Sequence, residues 1–113
     1  MKEAFLDLFW EFAADFKEAL PYLCRLVVAA ICGAPAAVLG ANGYLKNKLA
    51  TCYPSMTDEL CCKRLHNGAV CVDGKYITSK SAGTAMSFAI VLVKELLGDS
   101  AANNLKKSIV LDV

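Results

Sequence analysis

The strongest constraint on this chain is a run of six apolar residues, LVVAAI at 26–31, that stops abruptly at Cys32, Gly33, Ala34 and Pro35. The run has no polar alternation and is far too short to span a bilayer. It is the pattern of a strand covered on both faces, as in sheets sandwiched between helices. Proline is tolerated in the first turn of a helix, and the alanine- and leucine-rich residues 34–41 read as that helix, stopped by Asn42-Gly43. The chain therefore brings a thiol to the end of a buried strand and turns at once.

Helix and strand signals alternate through the rest of the sequence. Residues 2–20 carry Phe5, Leu8, Phe9, Phe12, Phe16 and Ala19 on one helical face, and Pro21 ends that pattern, so 1–22 reads as an amphipathic lead-in helix. LATCY at 49–53 reads as a strand ended by Pro54, and 57–65 as a short helix. AVCV and KYITS flank Asp73-Gly74, a hairpin signal. A long helix follows with the stripe Met86, Ala89, Ile90, Val93 and Leu97, capped at Gly98. Residues 100–107 predict another short helix and SIVLDV at 108–113 a last strand. Such alternation predicts one α/β domain with a largely parallel sheet.

Composition excludes several function classes. Twelve basic and eleven acidic side chains are dispersed to a net charge of +1, so there is no electrostatic footprint for nucleic acid. Hydrophobic residues make up 57% of the chain and mean hydropathy is +0.44, which predicts a doubly covered sheet or a partner over part of the surface. Residues 23–45 approach spanning length, but Arg25, Gly33, Pro35, Asn42 and Lys46 interrupt them, so no membrane partner is expected. The cysteines are Cys24, Cys32, Cys52, Cys61, Cys62 and Cys71. Three of them lie in or beside strand-like runs, and the amino terminus lacks a basic leader, which favours a reduced, cytoplasmic chain without disulfides. There is no Cys-x-x-Cys pair and His66 is the only histidine, so no metal site is expected.

At Cys32 two readings stand side by side. One is a core cysteine at a strand end. The other is a nucleophile elbow, in which small neighbours, here Gly33 and Ala34, let the backbone turn sharply. A helix N-terminus stabilises a thiolate, and the backbone N–H groups beside it can hold an oxyanion.

AAICGAPAAVLGANGYLKNKLATCYP at 29–54 and VDGKYITSKSAGTAMSFAIVLVKELLG at 72–98 resemble the carboxyl-terminal half of the ThiJ/PfpI superfamily, closest to its parkinsonism-associated deglycase subgroup. Cys32 stands at that family's nucleophile position, and Thr78, Ser79, Gly83 and Thr84 match its segment before the last long helix. The resemblance covers about residues 26–110 and implies a flavodoxin-like, class I glutamine amidotransferase-like three-layer sandwich, incomplete at its amino-terminal side. It further implies cofactor-free cysteine chemistry on methylglyoxal- and glyoxal-type aldehydes or glycated amines, and a homodimer or a partner that covers the incomplete sheet. An oxidation sensor or chaperone-like binding protein of the oxidative stress response is the alternative.

The family's amino-terminal half supplies a glutamate that bonds the cysteine and a glycine pair for the oxyanion. Neither has a match here: Glu3, Glu11 and Glu18 read as a solvated helix face. PYLCR at 21–25 stands where the family has a short glycine-containing turn. Tyr53 replaces the histidine that the deglycase carries before the matching proline; it either offers a hydroxyl to substrate or packs in the pocket wall. Cys52 reads as a strand cysteine, or as a resolving thiol if exposed. His66 reads as a surface loop residue.

Overall fold

The computed structural model describes residues 27–111; the lead-in segment 1–22, the 21–25 junction and Cys24 lie outside the described residues. β1 spans Val28–Ile31 and is followed by a six-residue π-helix, Pro35–Gly40, here called the elbow helix. β2 (Leu49–Ala50), a 3-10 helix (Pro54–Glu59) and β3 (Arg64–Leu65) come next. β4 (Val70–Asp73) and β5 (Tyr76–Ser79) form the hairpin. A 3-10 turn at Ala82–Thr84 leads into α1 (Ala85–Leu97), and Gly98 alone separates it from α2 (Asp99–Ser108).

β1, β5 and β4 lie side by side in that order. β1 runs parallel to β5 with Val28 opposite Tyr76, whereas β4 and β5 are antiparallel with Asp73 opposite Tyr76. The sheet is therefore mixed rather than largely parallel. A two-residue turn can join only antiparallel strands, and that turn is Gly74-Lys75, one residue beyond the expected pair, with Gly74 at φ 59°. β2 and β3 make a separate parallel pair.

The strand period of two sets the layers. Val28 and Ala30 face a core of Ala36, Leu39, Leu45, Ala50, Cys52 and Leu60, supplied by the elbow helix and the segments after it. α1 packs on β1, β4 and β5 and contributes nothing to that core, so helical layers lie on both sides of the sheet. The tightest approach is at Gly40, where a Cβ would run into the Leu60 carbonyl.

Four local expectations are corrected. The helix expected at 57–65 stops at Glu59: Cys61 takes φ 49°, and the chain then pairs with β2 through Lys63 N–H to Lys48 O (2.9 Å) and His66 N–H to Ala50 O (2.8 Å). Of LATCY only Leu49 and Ala50 join a ladder, because Thr51 donates its N–H to Thr78 Oγ1 (3.0 Å) instead. SIVLDV is not a strand in its described part: α2 continues through Ser108 and closes with Val110 N–H to Lys107 O (3.2 Å) and Leu111 N–H to Lys106 O (3.0 Å). That is the Schellman pattern, with Val110 at φ 53° where glycine is usual. Of the α1 stripe only Ile90 is buried, while Met86 and Leu97 are 58% and 73% exposed. α1 is apolar almost all round, so periodicity alone does not select its inner face. No helix among the described residues is long and apolar enough to cross a membrane.

Candidate functional site

β1 ends at Ile31 and delivers Cys32, which is exposed and sits at φ 65°. A left-handed backbone costs a residue with a Cβ about 1–2 kcal/mol, so it persists only where surrounding bonds impose it. They do here: the Cys32 N–H donates to Ser79 O (3.1 Å), and its carbonyl accepts from Tyr53 N–H (2.6 Å). The turn expected around this thiol is present, and its backbone is held from two sides.

Gly33 opens the elbow helix by accepting the Ala37 N–H at 2.9 Å, and Ala34 is the residue before its first turn. The first N–H groups of a helix have no intrahelical acceptor, and at this end they stand next to the thiol in the chain. The small residue at 33 has a steric reason: a Cβ there would sit 3.1 Å from Met56 Sδ. Met56 hangs on the same segment as Tyr53, whose carbonyl accepts its N–H at 2.9 Å. Sequence reading missed Met56; a methionine two residues beyond a proline carries no signal of its own.

Tyr53 is 42% exposed and stands beside Cys32 through the backbone bond. Cys52 is 1% exposed, with its Sγ donating to Tyr53 O at 3.3 Å. Burial first, then the nearby Cys62, Glu59 and Cys32, pushes its thiol up from 9.0, and the exposure that the resolving-thiol alternative requires is missing. Cys71 is raised likewise, by burial and then by Asp73 and Cys62, against a lowering bond with Thr78. The five described cysteines are free thiols, and Cys61 is exposed. His66 lies in the loop after β3, as read, half-buried beside Gly68, and lines a separate groove of about 460 Å³ with Leu49, Arg64 and Leu65. Among the described residues no group of three or more His, Cys, Asp or Glu gathers to hold a metal.

The family model described as DJ-1/PfpI matches residues 23–95. The chain is 45% identical over 75 residues to protein DJ-1 homolog B of Arabidopsis thaliana, covering 66% of this chain and 17% of that protein. Protein dj-1beta of Drosophila melanogaster is 36% identical over 87 residues, covering 75% of this chain and 46% of the relative. Among solved structures, oxidized Toxoplasma gondii DJ-1 superposes with TM-score 0.75 at 29% identity, over 83% of this chain and 52% of that one. Drosophila melanogaster DJ-1beta superposes with TM-score 0.71 at 35% identity, over 77% and 47%. The chain thus spans half or less of the length of these curated relatives.

Proposed function

Because the chain belongs to the DJ-1/PfpI family, we propose that it is a cysteine-dependent protein of the deglycase and glyoxalase type, with Cys32 as nucleophile toward methylglyoxal- and glyoxal-type aldehydes or their adducts on amines. The fold is flavodoxin-like, and the described residues form three strands of its sheet with helices on both faces. The observation that carries the reading is an exposed thiol in left-handed backbone at the junction of β1 and the elbow helix.

The thiolate adds to the aldehyde carbon, a C–S bond forms, and the carbonyl electron pair moves to oxygen. The N–H groups of Gly33 and Ala34 stabilise that oxyanion, which then takes a proton to give a hemithioacetal. The carbinol hydrogen then shifts to the neighbouring carbonyl carbon, converting the hemithioacetal to a thioester of the 2-hydroxy acid, and water cleaves the C–S bond, supplying the second carboxyl oxygen and returning the thiol. Tyr53 forms the wall of the pocket. This sequence of steps uses no metal or other cofactor. Five free thiols fit a reduced, cytoplasmic setting, and the exposed apolar residues Met86 and Leu97 fit a homodimer or a partner over the open part of the sandwich.

Among the described residues no carboxylate is hydrogen-bonded to Cys32, and general acid–base help is worth about 10²–10⁴-fold in rate. The purified 113-residue chain is therefore expected to consume methylglyoxal at least about 10²-fold more slowly than a full-length relative, in a reaction abolished by Cys32→Ser. Turnover that survives Cys32→Ser overturns the assignment, and Cys32-dependent turnover close to the relative's overturns the missing-partner argument. A second reading, an oxidation sensor, is favoured by the exposure of the same thiol and by the oxidized state of the Toxoplasma gondii relative. Peroxide treatment followed by mass spectrometry tests it: gain of two oxygens at Cys32 ahead of Cys61 is the expected result.

A further inference from the structure

Ser79 and Thr84 belong to the segment quoted from the sequence, yet neither has a part in the chemistry above. Ser79 is fully buried at the end of β5. Its carbonyl receives the Cys32 N–H (3.1 Å), and its hydroxyl lies 2.7 Å from both Ala69 O and Thr84 Oγ1. A buried hydroxyl has one proton to give. The Ala69 carbonyl can only accept, so the Ser79 proton goes there, and Thr84 must be the donor in the bond between the two hydroxyls. Thr84 Oγ1 also stands 2.9 Å from Ser81 O and accepts the Ser81 N–H at 3.1 Å. The Thr84 proton is thus shared between Ser79 Oγ and Ser81 O. One pair of hydroxyls ties together the start of β4, the end of β5 and the residue that opens α1.

We propose that Ser79 and Thr84 are positioning residues for the Cys32 thiol: their hydroxyl pair immobilises the end of β5, whose carbonyl holds Cys32 in its left-handed turn. Neither touches substrate in this scheme. They act through the Cys32 backbone, where a residue with a Cβ keeps positive φ only under restraint. The proposal rests on the reading of Cys32 as the reactive thiol, and its test needs no turnover, so failure of the methylglyoxal assay leaves it standing.

The test is competitive alkylation with iodoacetamide, scored by peptide mass spectrometry on Thr84→Val, Thr84→Ser and Ser79→Ala in the whole chain. Cys61, exposed and outside the network, is the internal reference, and buried Cys52 and Cys71 report loss of structure. Thr84→Val keeps the side chain's shape and removes its hydroxyl. It is expected to lower the Cys32-to-Cys61 labelling ratio by about tenfold, or about 1.4 kcal/mol, with Cys52 and Cys71 still protected. Thr84→Ser is expected to restore the ratio, and Ser79→Ala to reproduce the loss. An unchanged ratio overturns the proposal. So does simultaneous labelling of all described thiols in both Thr84→Val and Ser79→Ala, which would show that the pair supports the fold alone.

Discussion

Cys32 and Cys61 are both exposed and both left-handed, at φ 65° and 49°, but only Cys32 stands where a helix begins after a sheet strand. Iodoacetamide at neutral pH is therefore expected to label Cys32 first, Cys61 second, and Cys52 and Cys71 last; labelling of Cys61 ahead of Cys32 removes the basis for the nucleophile assignment. The two buried thiols make a separate prediction about alkaline pH. Their native values lie above 9.0, so below that pH both folded and unfolded chains keep the protons and the thiols do not affect stability differentially. As pH rises through 9.0 toward the raised native values, the unfolded chain loses protons first and stability falls. Urea unfolding at successive alkaline pH values is expected to show this loss, and Cys71→Ala to reduce it. The strain at Cys32 was legible because a strand signal collides with Gly-Ala-Pro. That of Cys61 was not, since nothing in Leu-Cys-Cys-Lys announces a left-handed residue.

Elements whose limits are set by local chemistry were readable; those set by distant partners were not. Pro35, Gly43 and Gly98 bracket the elbow helix and α1 as expected. The segment 57–65 reads as helix in isolation because its strand exists only through β2, itself two residues long. Gly40 shows the same dependence on packing, since only its contact with the Leu60 carbonyl reveals why a side chain is excluded. Gly40→Ala is expected to cost about 1–3 kcal/mol by overpacking, read as a lower urea midpoint. In the opposite direction, Val110 is 83% exposed and pays for a left-handed backbone at the end of α2. Val110→Gly is expected to stabilise the chain by about 1 kcal/mol, and a midpoint that falls instead refutes the assigned cap.

For the whole molecule, the high apolar content predicts either a doubly covered sheet or a partner over part of the surface, and among the described residues Met86, Leu96 and Leu97 on α1 are large apolar side chains left exposed. The homodimer proposed above predicts a concentration-dependent shift in sedimentation that Met86→Lys weakens. A chain that sediments as a monomer throughout disproves that state. The two bonds that hold Cys32 also have a temporal meaning. Tyr53 and Ser79 lie far downstream in sequence, and non-local contacts form only after the costly closure of the loops between them. A nascent chain that has just released Cys32 from the ribosome therefore carries an ordinary thiol in a flexible segment. The left-handed turn at Cys32 comes into being once the β4–β5 hairpin docks on β1, so the reactivity proposed above would arise late in folding. The amide proton of Cys32 should then exchange with solvent only when that parallel pair opens, on the same timescale as the sheet itself.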